Sequence, residues 1–196
     1  MGTVAFSISM SLDGYVAGPD DNPEQGLGRG GEVLHQWVLE PSAVDREVLD
    51  AAFAEAGAIV VGRRTFDLSG AWGGDPPGGL PCVVLTHEPP AQWSGPESAF
   101  MFVTDGIESA VARAREVAGE KVVAIGGGAD IARQAIEAGL VDEIHIQLVP
   151  VLLGAGVRLF EHLGTAPVGL ETIRVVQSPN VTHLGYRVIR PAATRE

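Results

Sequence analysis

One stretch, Lys121–Gly156, constrains this sequence most. Val122–Ile125 is a short apolar run, rich in β-branched residues and of the length of a buried strand, and Gly126, Gly127 and Gly128 follow it directly. Ala129–Ala138 then sets Ile131, Ala132, Ala135 and Ile136 at helical spacing, Gly139 stops the helix, and Asp142 opens a second strand, Ile144–Val149. Strand, glycine turn, helix and strand in that order build a sheet that is covered by helices.

Residues without a Cβ let a phosphate approach the backbone while the first amides of the following helix point at it with the helix dipole behind them. Gly126–Gly128 and the residues Ala129, Asp130 and Ile131 are therefore candidates to hold an anionic cofactor. A tight strand-to-helix turn accounts for the same triplet without any ligand. The turn is not a Rossmann fingerprint, because Ile131 stands where the last glycine of G-x-G-x-x-G belongs.

The same alternation runs through the chain. Val4, Phe6, Ile8 and Met10 alternate with small residues as a first strand, Asp13-Gly14 turns, and Tyr15–Gly18 is extended. Pro19–Gly31 is a loop rich in Gly, Pro, Asp and Asn, long enough to serve as a lid over a substrate or to be a surface insertion. Glu32–Glu40 reads as one amphipathic helix. Ser42 and Asp45 form a capping pair for the next helix, which turns Val44, Val48, Leu49, Ala52 and Phe53 inward up to Gly57.

Ala58–Val61 is a buried strand, and Gly62-Arg63-Arg64-Thr65-Phe66 begins a helical turn at its carboxyl end, where ligands of open α/β sheets bind. Two guanidinium groups and the Thr65 hydroxyl there suit a phosphate, or are a solvated pair. Cys82–Leu85 and Met101–Val103 are further strands, the first ending at Thr86-His87. Gly106–Ala118 is a helix capped by Thr104 or Asp105, and Val157–Leu163 is expected to form a turn of helix. Leu170–Gln177 and Val181–Ile189 alternate around Ser178-Pro179-Asn180 as a terminal hairpin. The fold class is α/β, a three-layer sandwich whose central sheet is mostly parallel with an antiparallel C-terminal hairpin.

At 196 residues the chain suits one domain, 1–196. A net charge of −12 repels nucleic acid and anionic membranes over most of the surface, while a single phosphorylated small molecule needs only a few local cations. The single cysteine, Cys82, rules out an internal disulfide and a cysteine-rich zinc site, and no metal is expected. No apolar stretch is long enough for a membrane span, and a cytoplasmic protein is expected.

Five segments taken in order, Ser9–Gly18 (SMSLDGYVAG), Val60–Asp67 (VVGRRTFD), Val83–Pro90 (VVLTHEPP), Val122–Ile136 and Val141–Gly156, resemble the dihydrofolate-reductase-like superfamily. The branch they most resemble is the stand-alone relatives of the reductase domain of the bifunctional riboflavin-biosynthesis deaminase/reductase. The resemblance implies NADPH lying across the carboxyl ends of the central strands. By position, Gly62, Arg63, Arg64 and Thr65 would hold its 2′-phosphate and pyrophosphate, Thr86 and His87 its adenosine, and Gly126–Ile131 would cover the pyrophosphate. Met10 to Gly14 and Leu153 to Gly156 would border nicotinamide and substrate. A cis Gly126–Gly127 bond and a homodimer are also implied. Two departures bear on the substrate: Glu32, Glu40 and Asp45 offer no clear match to the pterin-binding carboxylate, and Ser7 stands where the riboflavin-pathway reductases usually carry lysine.

The implied activity is an NADPH-dependent reductase acting on a small heterocyclic or carbonyl substrate, with Asp13 as the nearest identifiable acid or simply the cap of its turn. Trp37 and Gln147 line the substrate pocket in this reading, with Met10, Leu153 and Gly154, or pack as ordinary core. The alternative is a nucleotide-binding or sensor protein that keeps the cofactor cleft without chemistry.

Overall fold

The computed structural model describes residues 2–161, 163–164 and 167–190. Its strands are β1 (Val4–Ser11), β2 (Tyr15–Ala17), β3 (Ala56–Gly62), β4 (Cys82–Leu85), β5 (Phe100–Val103), β6 (Val122–Gly126), β7 (Glu143–Val149), β8 (Val157–Arg158), β9 (Gly169–Gln177) and β10 (Thr182–Ile189). Its helices are α1 (Gln36–Leu39), α2 (Ala43–Glu55), α3 (Arg63–Leu68), α4 (Ile107–Ala118) and α5 (Ala129–Glu137).

Eight strands form one sheet in the order β5-β4-β3-β6-β1-β7-β10-β9. From β5 to β7 neighbours are parallel, which requires long crossovers, helical at α2, α3, α4 and α5 and without an α-helix between β4 and β5. β10 runs antiparallel to β7 and to β9, so the terminal hairpin closes the sheet on one side.

Because side chains alternate along a strand, each buried strand feeds two cores. Val4 and Phe6 of β1 join Val60, Val83, Val123, Ile125, Ile144 and Ile146 under α4 and α5. On the opposite face Ile59, Val61, Cys82, Val84 and Phe100 pack around Phe66 of α3, and Leu34, Trp37, Val149 and Val181 form a third cluster. Helices on both faces make the three layers.

The Ser42–Asp45 capping box is present: the Asp45 amide donates to Ser42 Oγ at 3.2 Å and the Ser42 amide to Asp45 Oδ2 at 2.9 Å. Four local expectations differ. Residues 31–35 form a tight 3-10 turn that breaks before α1, so 32–40 is not one continuous helix. Ala52 and Phe53 are exposed, Phe53 lying against Gly78 at the surface instead of in the core. Neither Thr104 nor Asp105 caps α4; Gly106, at φ 105°, takes the N-cap position with no side-chain bond. Val157–Arg158 is a strand instead of a helical turn, since it pairs antiparallel with β2.

Candidate functional site

At the carboxyl ends of β3, β4, β5 and β6 the chain encloses a predominantly apolar cavity of about 850 Å³. Its position and size are those of ligand sites in α/β sheets, which span roughly 300–1,000 Å³. Sequence-identified residues that line it are Gly62, Arg63, Arg64, Thr65, Thr86, His87, Gly127, Gly128, Ala129, Asp130 and Ile131. They come together because every parallel strand delivers its following loop to the same edge of the sheet.

The three glycines of the β6–α5 turn are not equivalent. Gly127 and Gly128 are left-handed, at φ 76° and 81°, and a Cβ on Gly127 would stand 2.6 Å from Thr65 Cγ2. The fold itself therefore demands glycine at 127. Gly126, also expected at the cofactor site, is not among the residues lining the cavity; it has no left-handed φ, and a Cβ there would meet nothing within 4 Å. The Gly126–Gly127 bond, expected to be cis, is trans, and the described residues contain no cis peptide. Two left-handed glycines turn the chain without the roughly 3 kcal/mol that a cis bond between non-proline residues costs.

The adjacent arginines diverge. Arg63 Nε donates to both oxygens of Asp67, at 2.8 and 2.9 Å, and its Nη1 donates to the Glu88 carbonyl at 2.6 Å and to Thr86 Oγ1 at 3.3 Å. Its Nη2 has no partner among the described residues, so a donor remains for a ligand. Arg64 forms a bidentate pair with Asp21, Nε to Oδ2 at 2.9 Å and Nη2 to Oδ1 at 2.6 Å. That pair ties the Pro19–Gly31 loop to α3. The loop is folded on itself, with Gly18 N donating to the Leu27 carbonyl and Arg29 N to the Pro19 carbonyl, and it contributes Asp21, Gly26 and Leu27 to the cavity wall. Asp130 also faces the cavity; the Arg133 guanidinium holds its carboxyl below the usual range.

Asp13, expected as an acid, does not line the cavity. Its carboxylate accepts from Ser11 Oγ at 2.7 Å and from the amides of Leu153 and Gly154 at 3.1 and 2.7 Å. The Ser11 hydroxyl and those amides favour the charged form and bring its pKa to about 2. Asp13 is thus a brace between the β1–β2 turn and the loop after β7, which is where Leu153 and Gly154 are used. Trp37 and Gln147 are core residues. The Trp37 indole donates to Ser9 Oγ at 2.9 Å and its ring stands edge-on to His183, while Gln147 exchanges hydrogen bonds with Ser7. Met10 is also absent from the lining, and Ile8, two positions back on the same face, takes part instead.

His35 and Trp72 are among the lining residues that were not assigned from the sequence. His35 is exposed and also lines the cavity, and desolvation by the protein around its ring lowers its pKa below the usual imidazole value. Its only signal is that it falls off the Leu34, Trp37, Val38 stripe. Trp72 lies in the Leu68–Leu80 loop, whose glycines mark a turn without saying where the indole goes.

Comparison with known proteins places this geometry. The family model of the RibD C-terminal domain matches residues 2–184. The chain is 24% identical over 160 residues to the uncharacterized protein YwjB of Bacillus subtilis (strain 168), covering 80% of this chain and 81% of that one. Among solved structures it is similar to a riboflavin biosynthesis protein from Shewanella sp. PV-4, at 25% identity and a TM-score of 0.73 over 97% of this chain and 100% of the other. It also matches a dihydrofolate reductase from Enterococcus faecalis complexed with NADP(H), at 17% identity and a TM-score of 0.60 over 95% and 96% of the two chains, a likeness of fold.

Proposed function

The chain belongs to the RibD C-terminal domain family, and from that premise we propose that it is an NADPH-dependent reductase acting on a small heterocyclic or carbonyl substrate. The observation that carries the reading is Gly126. Neither its backbone conformation nor its packing calls for glycine, and the missing side chain leaves open space at the residue directly before the cavity-lining Gly127 and Gly128. An approaching diphosphate needs that space.

NADPH, when bound, supplies hydride. The residues around it bind and orient. In this reading the amides of Gly127–Ile131 face the diphosphate, the free Nη2 of Arg63 faces the 2′-phosphate, and His87, exposed beside the buried Thr86, borders the adenosine. The apolar wall formed by Ile8, Val16, Ala17 and Leu27 keeps water from the reacting end. The same reading makes the protein a homodimer through β9, whose outer residues Leu170, Ile173 and Val175 are exposed, and sedimentation at micromolar concentration tests it.

A second reading, a nucleotide-binding protein without turnover, is favoured by Asp13, whose carboxylate is committed to bracing a loop. Two measurements separate the readings. Calorimetric titration with NADPH should give saturable binding, and absence of heat at millimolar coenzyme overturns both. NADPH consumption with a panel of pteridines, aminopyrimidines and quinones then divides reductase from binder, no turnover with any of them favouring the binder.

A further inference from the structure

We propose that the arm of the cavity walled by Trp72, Leu68, Leu27, Ile8 and His35 is a slot for an uncharged planar ring that excludes phosphorylated substrates. The proposal rests on the reductase reading, in which the other arm holds the coenzyme.

Helix α3 runs along this one cavity, and its lining residues Thr65 and Leu68 stand one turn, about 4.5 Å, apart along the helix axis. Near its start Thr65 touches Gly127; at its end a Cβ on Gly26 would stand 2.9 Å from the Leu68 carbonyl oxygen. The lid loop and the Leu68–Trp72 segment therefore close around one space away from the glycine turn, and Leu27 continues it toward Ala17 and β1, because a Cβ on Gly31 would contact both.

Trp72 is held there by unusual backbone. Gly70, Ala71, Trp72, Gly73 and Gly74 are all left-handed, at φ 59°, 52°, 48°, 66° and 96°. Two successive residues with side chains in that region each carry a steric cost, and such conformations persist where the surroundings enforce them, typically beside a site. Buried Ala71 anchors the turn, and half-buried Trp72 joins the cavity wall. A flat indole recognises a flat ring by offset or edge contact.

Charge supplies the exclusion. Arg64 is the guanidinium next to this arm, and Asp21 takes it up at two oxygens. His35 remains, and its ring is neutral near pH 7, offering one donor and one acceptor to a substrate heteroatom. A phosphate entering this arm meets the Asp21 carboxylate and apolar carbon; the free Nη2 of Arg63 serves the coenzyme in this reading, and none of Trp72, Leu68, Leu27 and Ile8 carries a positive charge to offset its desolvation.

The test compares 1-naphthol with 1-naphthyl phosphate, the same ring without and with a phosphate, by fluorescence titration of protein saturated with NADPH. The slot predicts that 1-naphthol binds at least about tenfold tighter, that Trp72→Leu weakens it about tenfold while Trp72→Phe stays within about threefold, and that Asp21→Asn, which frees Arg64, tightens 1-naphthyl phosphate about tenfold. The proposal is overturned if the phosphate binds as tightly as the naphthol, if 1-naphthol shows no saturation, or if Trp72→Leu binds it like the unaltered protein. Should NADPH itself fail to bind, the reductase reading falls, and the Trp72→Leu comparison on coenzyme-free protein still decides the slot.

Discussion

His183 Nε2 on β10 lies 2.9 Å from Asp45 Oδ1 in the first turn of α2, joining residues 138 positions apart. Asp45 has no solvent exposure and His183 3%; Asp45 is sealed by its immediate neighbours rather than by depth. One carboxylate thus closes the capping box of α2 and ties that helix to the terminal hairpin. The other imidazole nitrogen, Nδ1, is buried with no partner among the described residues, where Asp45 supplies the ring's polar contact.

That pair sets an acid limit on stability. Burial pushes the Asp45 carboxyl up, but hydrogen bonds from Ser42 and His183 outweigh it and bring the pKa from 3.8 to about 2. A depressed folded-state pKa contributes stability that is full above the unfolded value and lost as pH falls through the folded one. The contribution should be on the order of 2 kcal/mol above pH 4 and vanish toward pH 2. Urea midpoints across that window should converge for Asp45→Asn and the unaltered protein; a constant gap between them would refute the assignment.

Gly126 and Gly127 should respond to alanine in opposite ways. Gly127→Ala places a side chain at φ 76° against Thr65 and should cost about 1–2 kcal/mol or more, read as a lower melting temperature. Gly126→Ala should melt like the unaltered protein yet bind NADPH at least about tenfold more weakly, because its methyl group fills the space left for the diphosphate. Equal NADPH affinity in the Gly126 variant would remove the main support for the coenzyme site.

Arg63 should discriminate NADPH from NADH. Losing a charged hydrogen bond worth about 1.5–3 kcal/mol predicts that Arg63→Gln weakens NADPH binding roughly tenfold to a hundredfold. NADH, which lacks the 2′-phosphate, should bind both proteins alike in the same calorimetric titration. A matched loss for the two coenzymes would assign Arg63 elsewhere.

Asp13 should behave as a brace. With its pKa at about 2 it is ionised throughout the neutral range, and its hold on Leu153 and Gly154 is present above pH 3.8 and lost as pH falls through about 2. Asp13→Asn should speed hydrogen exchange at those two amides while leaving the shape of any turnover profile between pH 5 and 8 unchanged. A profile that loses a limb in the variant would restore Asp13 as the acid.

Side-chain spacing already specified the eight strands of the main sheet, α2 with its capping box, the glycine turn and its delivery to the carboxyl edge of the sheet. Those follow from side-chain spacing, Cβ absence and helix-start chemistry, which act within a few residues. The tertiary structure alone decided that Trp72 and His35 enter the cavity, that Asp13 and Trp37 do not, that Arg64 is claimed by Asp21, and that residues 157–158 are a strand. Each of these is settled by a partner far along the chain or by the shape of an enclosed space, and neither leaves a periodic trace in local sequence.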